Sequence, residues 1–445
     1  MQIFETISQL INESPWLFFL GTTVAGVGGL FLLVVVITKR RALAVRIFFV
    51  AAVLSLLAEP LHTIFDILRW LATFMLVPLG IAGIKHANLA FWCLFIYSLL
   101  GLAFFPFAPD ITWALMNGAL NIAAIVGLGG VMFYCNRTHH ELLKLMRFIG
   151  WLGLVFVSIT FIFSVFGYEV SSRNDSITVR SGQLSIASAM FLSVFIWRLV
   201  TARHLSTRII FLVGCMMSMA LMVISGQRIG FALAGPAFVF YLWPIRKKSG
   251  GRLFLALLGI SVAFVLGAMF FGSGQIEYML LRFQGKVESR SLLTGRDELW
   301  QLAWNEVKKS PFIGRGMSSD TLYGRYYLGH SFHNSYLAMW FNTGILGLLL
   351  FLFALITSAF RNWRLSLKIL NHEHAECYRV LTGIVMGCLC AGMFERTLAG
   401  ASNYLIGVVM LSIAASSKAT KDSIYDQSEI QEIDDDWARC VTGER

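Results

Sequence analysis

Apolar runs of about 18–23 residues recur along this chain between short polar loops, and each matches the ~20 residues that an α-helix needs to cross a bilayer. The chain has 445 residues, of which 57% are hydrophobic and only 14% are charged. Soluble domains carry far more charge than this. The sequence therefore predicts an all-α polytopic membrane protein, a bundle of about 12 transmembrane helices with a range of about 11–13.

The apolar segments and the charges between them predict a topology. The segments lie at 16–38, 43–58, 64–84, 88–105, 111–134, 148–167, 184–200, 207–224, 229–245, 253–271, 335–358, 378–395 and 402–416. Basic residues cluster in every other connecting loop, which the positive-inside rule assigns to the cytoplasm. The two segments that flank Glu59-Pro60 are the weakest, so a count of twelve is the alternative to thirteen.

This topology divides the chain into four parts. Residues 1–271 form an N-terminal transmembrane bundle, 272–334 a large external loop, 335–416 the C-terminal transmembrane helices and 417–445 a cytoplasmic polar tail. The net charge of +11 does not indicate nucleic-acid binding, because the basic residues stand at the ends of apolar runs, where they set membrane topology. None of the cysteines lies in a loop predicted to be external, so we expect no disulfide.

The end of the long polar loop has a helical pattern of its own. Apolar residues recur there at helical spacing, at Leu299, Trp300, Ala303, Trp304 and Val307. Thr294 can cap the helix, Lys308-Lys309 suit its negative C-terminus, and Ser310-Pro311 ends it. The pattern predicts a short amphipathic helix that lies on the outer membrane surface or on the bundle.

Two arginines, Arg296 and Arg228, occupy positions that are unfavourable for a positive charge. Arg296 falls in the first turn of this helix, whose N-terminus is already positive. Free backbone N–H groups and a guanidinium together suit a phosphate, and an ion pair with a nearby carboxylate is the alternative. Arg228 lies in a very short external loop between two apolar helices, where it either snorkels to the membrane surface or serves the function.

His333 immediately precedes the apolar helix that begins near Ser335, and Asn334 or Ser335 can cap that helix. Because the helix dipole disfavours a charged imidazolium, a neutral His333 can accept a proton and would suit a general base. The alternative is a hydrogen-bonded histidine at the membrane interface. His330 is close in sequence, but His-x-x-His without further ligands is a weak zinc signal, so we expect no metal.

Other polar and small residues fall near the same predicted face. Gly344 and Gly347 sit about one turn apart, a spacing that allows close helix packing. Glu395-Arg396 forms either a local ion pair or a group that orients a substrate. Arg282 and Arg290 contribute to a positive rim on the long loop, which would attract an anion.

These motifs resemble a known family. His333-Asn334, then nine residues, then Gly344-Ile345-Leu346-Gly347 looks like the signature of the bacterial O-antigen ligases. Thr294-Gly295-Arg296 with Trp300, Pro311 to Gly316, and an arginine after Ser-Gly-Gln, here Arg228, resemble the wider superfamily of O-antigen ligases and polymerases.

The resemblance implies a GT-C-type membrane glycosyltransferase of the bacterial inner membrane, with its active site on the periplasmic side. It implies transfer of a polysaccharide from undecaprenyl diphosphate to the lipid A-core oligosaccharide, with inversion at the anomeric carbon and with no cofactor and no metal. The partners are then the lipid-linked glycan donor, the lipid A-core acceptor and membrane lipids. The resemblance leaves open an O-antigen polymerase or a protein O-oligosaccharyltransferase.

The predicted roles follow from this chemistry. His333 is the base, and Arg228 and Arg296 stabilise the diphosphate as charge develops on it. Arg282, Arg290 and Asn334 are further substrate-binding residues. A transporter of lipid-linked sugar is the alternative from another class. Transporters usually place charged residues near mid-membrane, whereas the candidate charged residues of this chain gather at one predicted face.

Overall fold

The computed structural model describes residues 41–57, 61–135, 138–165, 181–225, 227, 229–240, 296–328, 332–396, 398 and 404–417, and within this part of the chain there is no β-strand. The helices are α1 Arg41–Leu54, α2 Leu61–Ile84, α3 Leu89–Ala103, α4 Ile111–Cys135, α5 His139–Val165, α6 Ser181–Thr201, α7 Leu205–Ile224, α8 Ile229–Phe240, α9 Arg296–Lys309, α10 Ser319–Leu328, α11 Ser335–Lys368, α12 His372–Gly392 and α13 Tyr404–Ala415.

The helices confirm the all-α polytopic membrane fold. Among the described residues, seven helices are long and apolar enough to cross a membrane, namely α2, α4, α5, α6, α7, α11 and α12. Four more are apolar but shorter, namely α1, α3, α8 and α13. The predicted segments 16–38 and 253–271 lie outside the described residues, as do residues 272–295 of the long loop, so the total of about 12 helices stays a prediction.

Several helices continue beyond the apolar runs that predicted them. The segment predicted at 335–358 belongs to a helix that runs to Lys368, so the basic stretch from Arg361 to Lys368 is helical and is not the predicted loop. Likewise, the segment predicted at 148–167 begins at His139. Hydropathy marks only the part of a helix that suits lipid, whereas Arg, Lys and Leu favour helix on either side of that boundary.

Helix α11 is a central element of the bundle. It packs against α3, α9, α10, α12 and α13. Helix α6 lies between α5, α7 and α12 and buries large side chains such as Phe191, Phe195 and Trp197. In a membrane the neighbours of a helix are set mainly by close packing of side chains, because lipid is as apolar as the side chains themselves.

Contacts between loops group them into two sets. On one side, Gly316 packs on Phe105 and Ala108, and Ser335 Oγ donates a hydrogen bond to the carbonyl oxygen of Glu395. On the other, Arg147 pairs with Glu373, and Asn88 reaches the end of α13. Each set joins loops that the charge pattern assigns to one side of the membrane. Which side is cytoplasmic remains a prediction.

Candidate functional site

His333 lies two residues before Ser335, the first residue of helix α11, and its side chain contacts a carboxylate from the segment that follows α12. Its Nδ1 is 3.0 Å from Oε1 of Glu395. The φ angle of His333 is +46°, a left-handed conformation that costs a non-glycine residue roughly 1–2 kcal/mol. Strain of this kind persists only where the surroundings impose it, and it concentrates at functional sites.

The cap of α11 fixes the backbone next to His333. The Oδ1 atom of Asn334 accepts hydrogen bonds from the N–H groups of Tyr336 at 2.9 Å and Leu337 at 3.1 Å. Asn334 is therefore the N-cap, one of the two capping residues that the sequence predicts. Because its side chain oxygen is engaged in the cap, a substrate-binding role for Asn334 would fall to its amide nitrogen.

The segment after α12 brings Glu395 to His333. Ser335 Oγ donates to the carbonyl oxygen of Glu395 at 2.7 Å and accepts from the N–H of Leu398 at 3.2 Å. The start of α11 is thus tied on both sides to the segment that carries Glu395. The side chains of His333 and Glu395 are 32% and 23% exposed, so the pair remains accessible to a substrate.

Helix α9 docks on the bundle beside this pair. Nε1 of Trp300 donates to the carbonyl oxygen of Phe332, at 3.0 Å. Ala303 and Val307 are buried, and Trp304 packs edge-on against Trp340 of α11. The predicted amphipathic helix is therefore present and lies on the bundle, and it ends at Lys309 as its Ser-Pro stop signal predicts.

Of the four predicted arginines, the structure describes only the backbone of Arg296. It is the first residue of α9, one turn before Trp300, and its side chain lies outside the described part of the chain. Arg228, Arg282 and Arg290 lie outside the described residues altogether.

The start of α8, next to residue 228, has a defined place. Helix α8 runs along α12, with the backbone of Ala237 against Gly383 and that of Leu233 against Gly387. In its first turn, Gly230 packs against Ser185 of α6. The start of α8 is thus held between α6 and α12.

A break in α11 holds the loop between α9 and α10. Gly344 has φ +70° and ψ 176°, and the carbonyl oxygens before it are taken up by that loop. The N–H groups of Arg315 and Gly316 donate to the carbonyl oxygens of Phe341 and Asn342 at 2.9 and 3.0 Å. The Gly-Arg-Gly segment thus replaces the helical hydrogen bonds that the break removes.

Gly344 therefore does not serve the close helix packing that its spacing from Gly347 predicts. A Cβ at Gly344 would lie 2.2 Å from the carbonyl oxygen of Phe312, and its φ angle is one that side chains rarely adopt. A Cβ at Gly347 would meet Thr343 of the same helix. The glycine at 344 is needed for a backbone break and for close approach of a loop.

Glu395 and Arg396, adjacent in the chain, reach different partners: Glu395 contacts His333, and Arg396 contacts a buried carboxylate. Arg396 Nη2 donates to Oδ1 of Asp320 at 2.9 Å, and its Nε pairs with Oδ2 of the same carboxylate. Asp320 is buried and also accepts from Nδ2 of Asn342 at 2.7 Å. No sequence signal marked Asp320, since an aspartate in a first helical turn usually just complements the helix dipole.

Glu306 ties α9 to the same loop. It pairs with Lys309 one turn later and with Arg315, whose Nη2 is 3.4 Å from Oε2. Burial would raise the pKa of Glu306, but hydrogen bonds from Lys309 and Tyr323 and the charges of Lys309 and Arg315 outweigh it, so the pKa is lowered. Glu306 is therefore ionised at neutral pH and helps to hold α9 in place.

The described residues contain no group of three or more His, Cys, Asp or Glu side chains that could hold a metal ion. His330, the other histidine of the weak zinc signal, lies outside the described residues.

One family of known proteins matches part of this chain. Residues 213–352 match the family model described as O-antigen ligase, a family of glycosyltransferase-like membrane enzymes. The matched range runs from α7 into α11 and contains every predicted site residue, but it ends before Glu395. Comparison with individual curated proteins gives no match.

Proposed function

We propose that this chain is a member of the O-antigen ligase superfamily, whose family model it matches over residues 213–352, and that it transfers a polysaccharide from undecaprenyl diphosphate to the lipid A-core oligosaccharide. The observation that carries the proposal is the His333–Glu395 pair at the start of α11, with Trp300 of α9 bonded to the neighbouring Phe332. A base and an anion-binding helix N-terminus are the two parts that this transfer needs.

The pair supplies a general base. A carboxylate at Nδ1 selects the imidazole tautomer with the proton on that atom, so Nε2 of His333 is left with its lone pair. Nε2 takes the proton of an acceptor sugar hydroxyl as that oxygen attacks the anomeric carbon of the donor. Glu395 orients the ring and stabilises the imidazolium that forms.

The leaving group is undecaprenyl diphosphate. Its oxygen gains negative charge as the glycosidic bond breaks, and guanidinium groups stabilise that charge best when they stand in place beforehand. Arg296 at the N-terminus of α9 and Arg228 before the first turn of α8 are assigned this role, with Arg282 and Arg290 as further contributors. Attack and departure on opposite faces of the sugar predict inversion, and neither a metal nor a cofactor takes part.

The site stands at the end of the bundle where the loops predicted to be external meet. We assign that end to the periplasmic face of the bacterial inner membrane, where both lipid-linked partners are exposed. In this assignment residues 272–334 form the large periplasmic loop over the head groups, between the transmembrane parts 1–271 and 335–416, and 417–445 form the cytoplasmic tail. The apolar bundle offers lipid-facing surface for the polyprenyl chain.

Lipopolysaccharide from a strain that lacks this chain tests the proposal. Loss of all polymeric O-antigen from an intact core is the result expected of a ligase. A single repeat unit still attached to the core would show a polymerase instead. Unchanged lipopolysaccharide with a missing protein glycan would show a protein O-oligosaccharyltransferase, and accumulation of donor on the cytoplasmic face would show a transporter.

A further inference from the structure

Arg396 follows Glu395 directly, and its positive charge competes with His333 for the Glu395 carboxylate. The backbone nitrogen of Arg396 donates a hydrogen bond to Oε1 of Glu395 at 3.4 Å. Because the two residues are adjacent in the chain, their side chains can reach each other, and a guanidinium and a carboxylate within reach attract each other strongly when neither has a better partner. If Arg396 paired with Glu395, the carboxylate would be drawn away from Nδ1 of His333.

The buried carboxylate of Asp320 is that better partner. Arg396 meets it with both Nη2 and Nε, one to each oxygen. The Asp320 side chain is 0% exposed, whereas that of Glu395 is 23% exposed. Because water screens an ion pair less where it is excluded, the guanidinium is held more firmly by Asp320 than it would be by Glu395.

Asp320 is in turn fixed by the break in α11. Its N–H donates to Oδ1 of Asn342 at 3.0 Å, and Nδ2 of Asn342 donates back to Oδ1 at 2.7 Å. Both side chains are fully buried. The carbonyl oxygen of Asn342 also accepts from the N–H of Gly316. The carboxylate therefore cannot follow Arg396 if the arginine moves.

We propose that Asp320 is a positioning residue for the His333–Glu395 pair: it binds the guanidinium of Arg396 and so keeps the carboxylate of Glu395 on His333. Its consequence for transfer rests on the proposed function of His333 as the base. Without the charge of Asp320, Arg396 turns to Glu395, and Nδ1 of His333 loses the acceptor that orients the ring.

A cycle of three variants tests this positioning by its effect on transfer. Rates are measured per inserted protein in membrane vesicles that contain a lipid-linked glycan donor and a lipid A-core acceptor. Asp320→Asn should lower kcat by at least about tenfold with little change in KM, because the base is misoriented while binding is untouched. Arg396→Gln removes the competing charge and should stay close to the wild-type rate.

The double variant decides between positioning and mere structure. When Asp320→Asn is combined with Arg396→Gln, the Arg396 charge no longer competes for Glu395, so kcat should recover toward wild type. A double variant as slow as Asp320→Asn alone would overturn the proposal. If Asp320→Asn does not accumulate, the double variant still tests the proposal, because it removes both charges, whereas Arg396→Gln alone leaves the buried Asp320 carboxylate unpaired. A loss of more than about tenfold in correctly inserted double-variant protein has no place in this scheme.

A spectroscopic readout separates this inference from the proposed function. In detergent-solubilised protein labelled with ¹⁵N-histidine, the Nδ1–H resonance of His333 is assigned by its loss in His333→Gln. Asp320→Asn should shift this resonance, and the double variant should restore it. Restoration without any glycan transfer by the wild-type protein would refute the function and keep the inference; an unshifted resonance in Asp320→Asn would refute the inference alone.

Discussion

Nδ1 of His333 and Oε1 of Glu395 lie 3.0 Å apart although 62 positions separate the two residues in the chain. One precedes α11 and the other follows α12, so the packing of these two helices decides whether they meet. In the proposed mechanism this pairing orients His333 as the base, and most of the following predictions derive from it.

His333→Ala should abolish glycan transfer while the protein still inserts and binds donor. Loss of a positioned base typically lowers a rate by about 10²–10⁴-fold. The measurement is transfer per inserted protein in membrane vesicles, with donor retention measured in parallel. His140→Ala, an exposed histidine near the start of α5, is the matched control and should transfer normally. Full activity in His333→Ala would show that His333 has only a structural role before α11.

Glu395→Gln should lower kcat and leave KM almost unchanged. The amide keeps the size of the carboxylate but cannot stabilise the imidazolium, so the loss falls on the transition state, by about 10–100-fold. Steady-state kinetics over a range of acceptor concentrations check this. Glu141→Gln, exposed in the first turn of α5, serves as control. An equal rise in KM with constant kcat would mean that Glu395 binds substrate instead.

Arg296→Ala and Arg228→Ala should each remove transfer, and lysine should rescue poorly at either position. A guanidinium can bind diphosphate oxygens with two parallel hydrogen bonds, whereas an ammonium is a point charge. The check is transfer together with binding of undecaprenyl diphosphate. Arg203→Ala, an exposed arginine before α7, controls for loss of surface charge. Lysine variants with normal rates would contradict a bidentate contact.

Gly344→Ala should destabilise the fold, because alanine cannot relieve either the positive φ or the 2.2 Å approach to the carbonyl oxygen of Phe312. Strain at such a position costs about 1–3 kcal/mol before any steric contact is counted. A fall in the midpoint of thermal unfolding in detergent measures this. Gly235→Ala in α8, where a Cβ meets nothing within 4 Å, should be neutral or slightly stabilising.

Chelation should leave transfer unaffected, since the proposed chemistry uses arginine charge where other transferases use a divalent cation. Membranes treated with EDTA should keep the untreated rate. Inhibition by EDTA that added Mg²⁺ or Mn²⁺ reverses would contradict the metal-free mechanism.

Local chemistry in the sequence was enough to predict several elements. Hydropathy predicts the membrane helices because a lipid-spanning segment must satisfy its own backbone. Cap and stop signals predict that α9 ends before Ser310-Pro311 and that Asn334 or Ser335 caps α11, because hydrogen bonds at helix ends involve residues only a few positions apart. The role of His333 as a base comes from its place before a helix and stays a prediction.

The partners of those residues depend on long-range packing and were not predictable in this way. The sequence places Glu395 and Arg396 side by side and suggests that they pair, yet one reaches His333 and the other reaches Asp320, 76 positions away. In the sequence Gly344 likewise resembles a packing glycine, and only the fold shows that it makes room for the loop that fills the helix break. Such pairings depend on which helices stack and at what register, a property that no short stretch of residues contains.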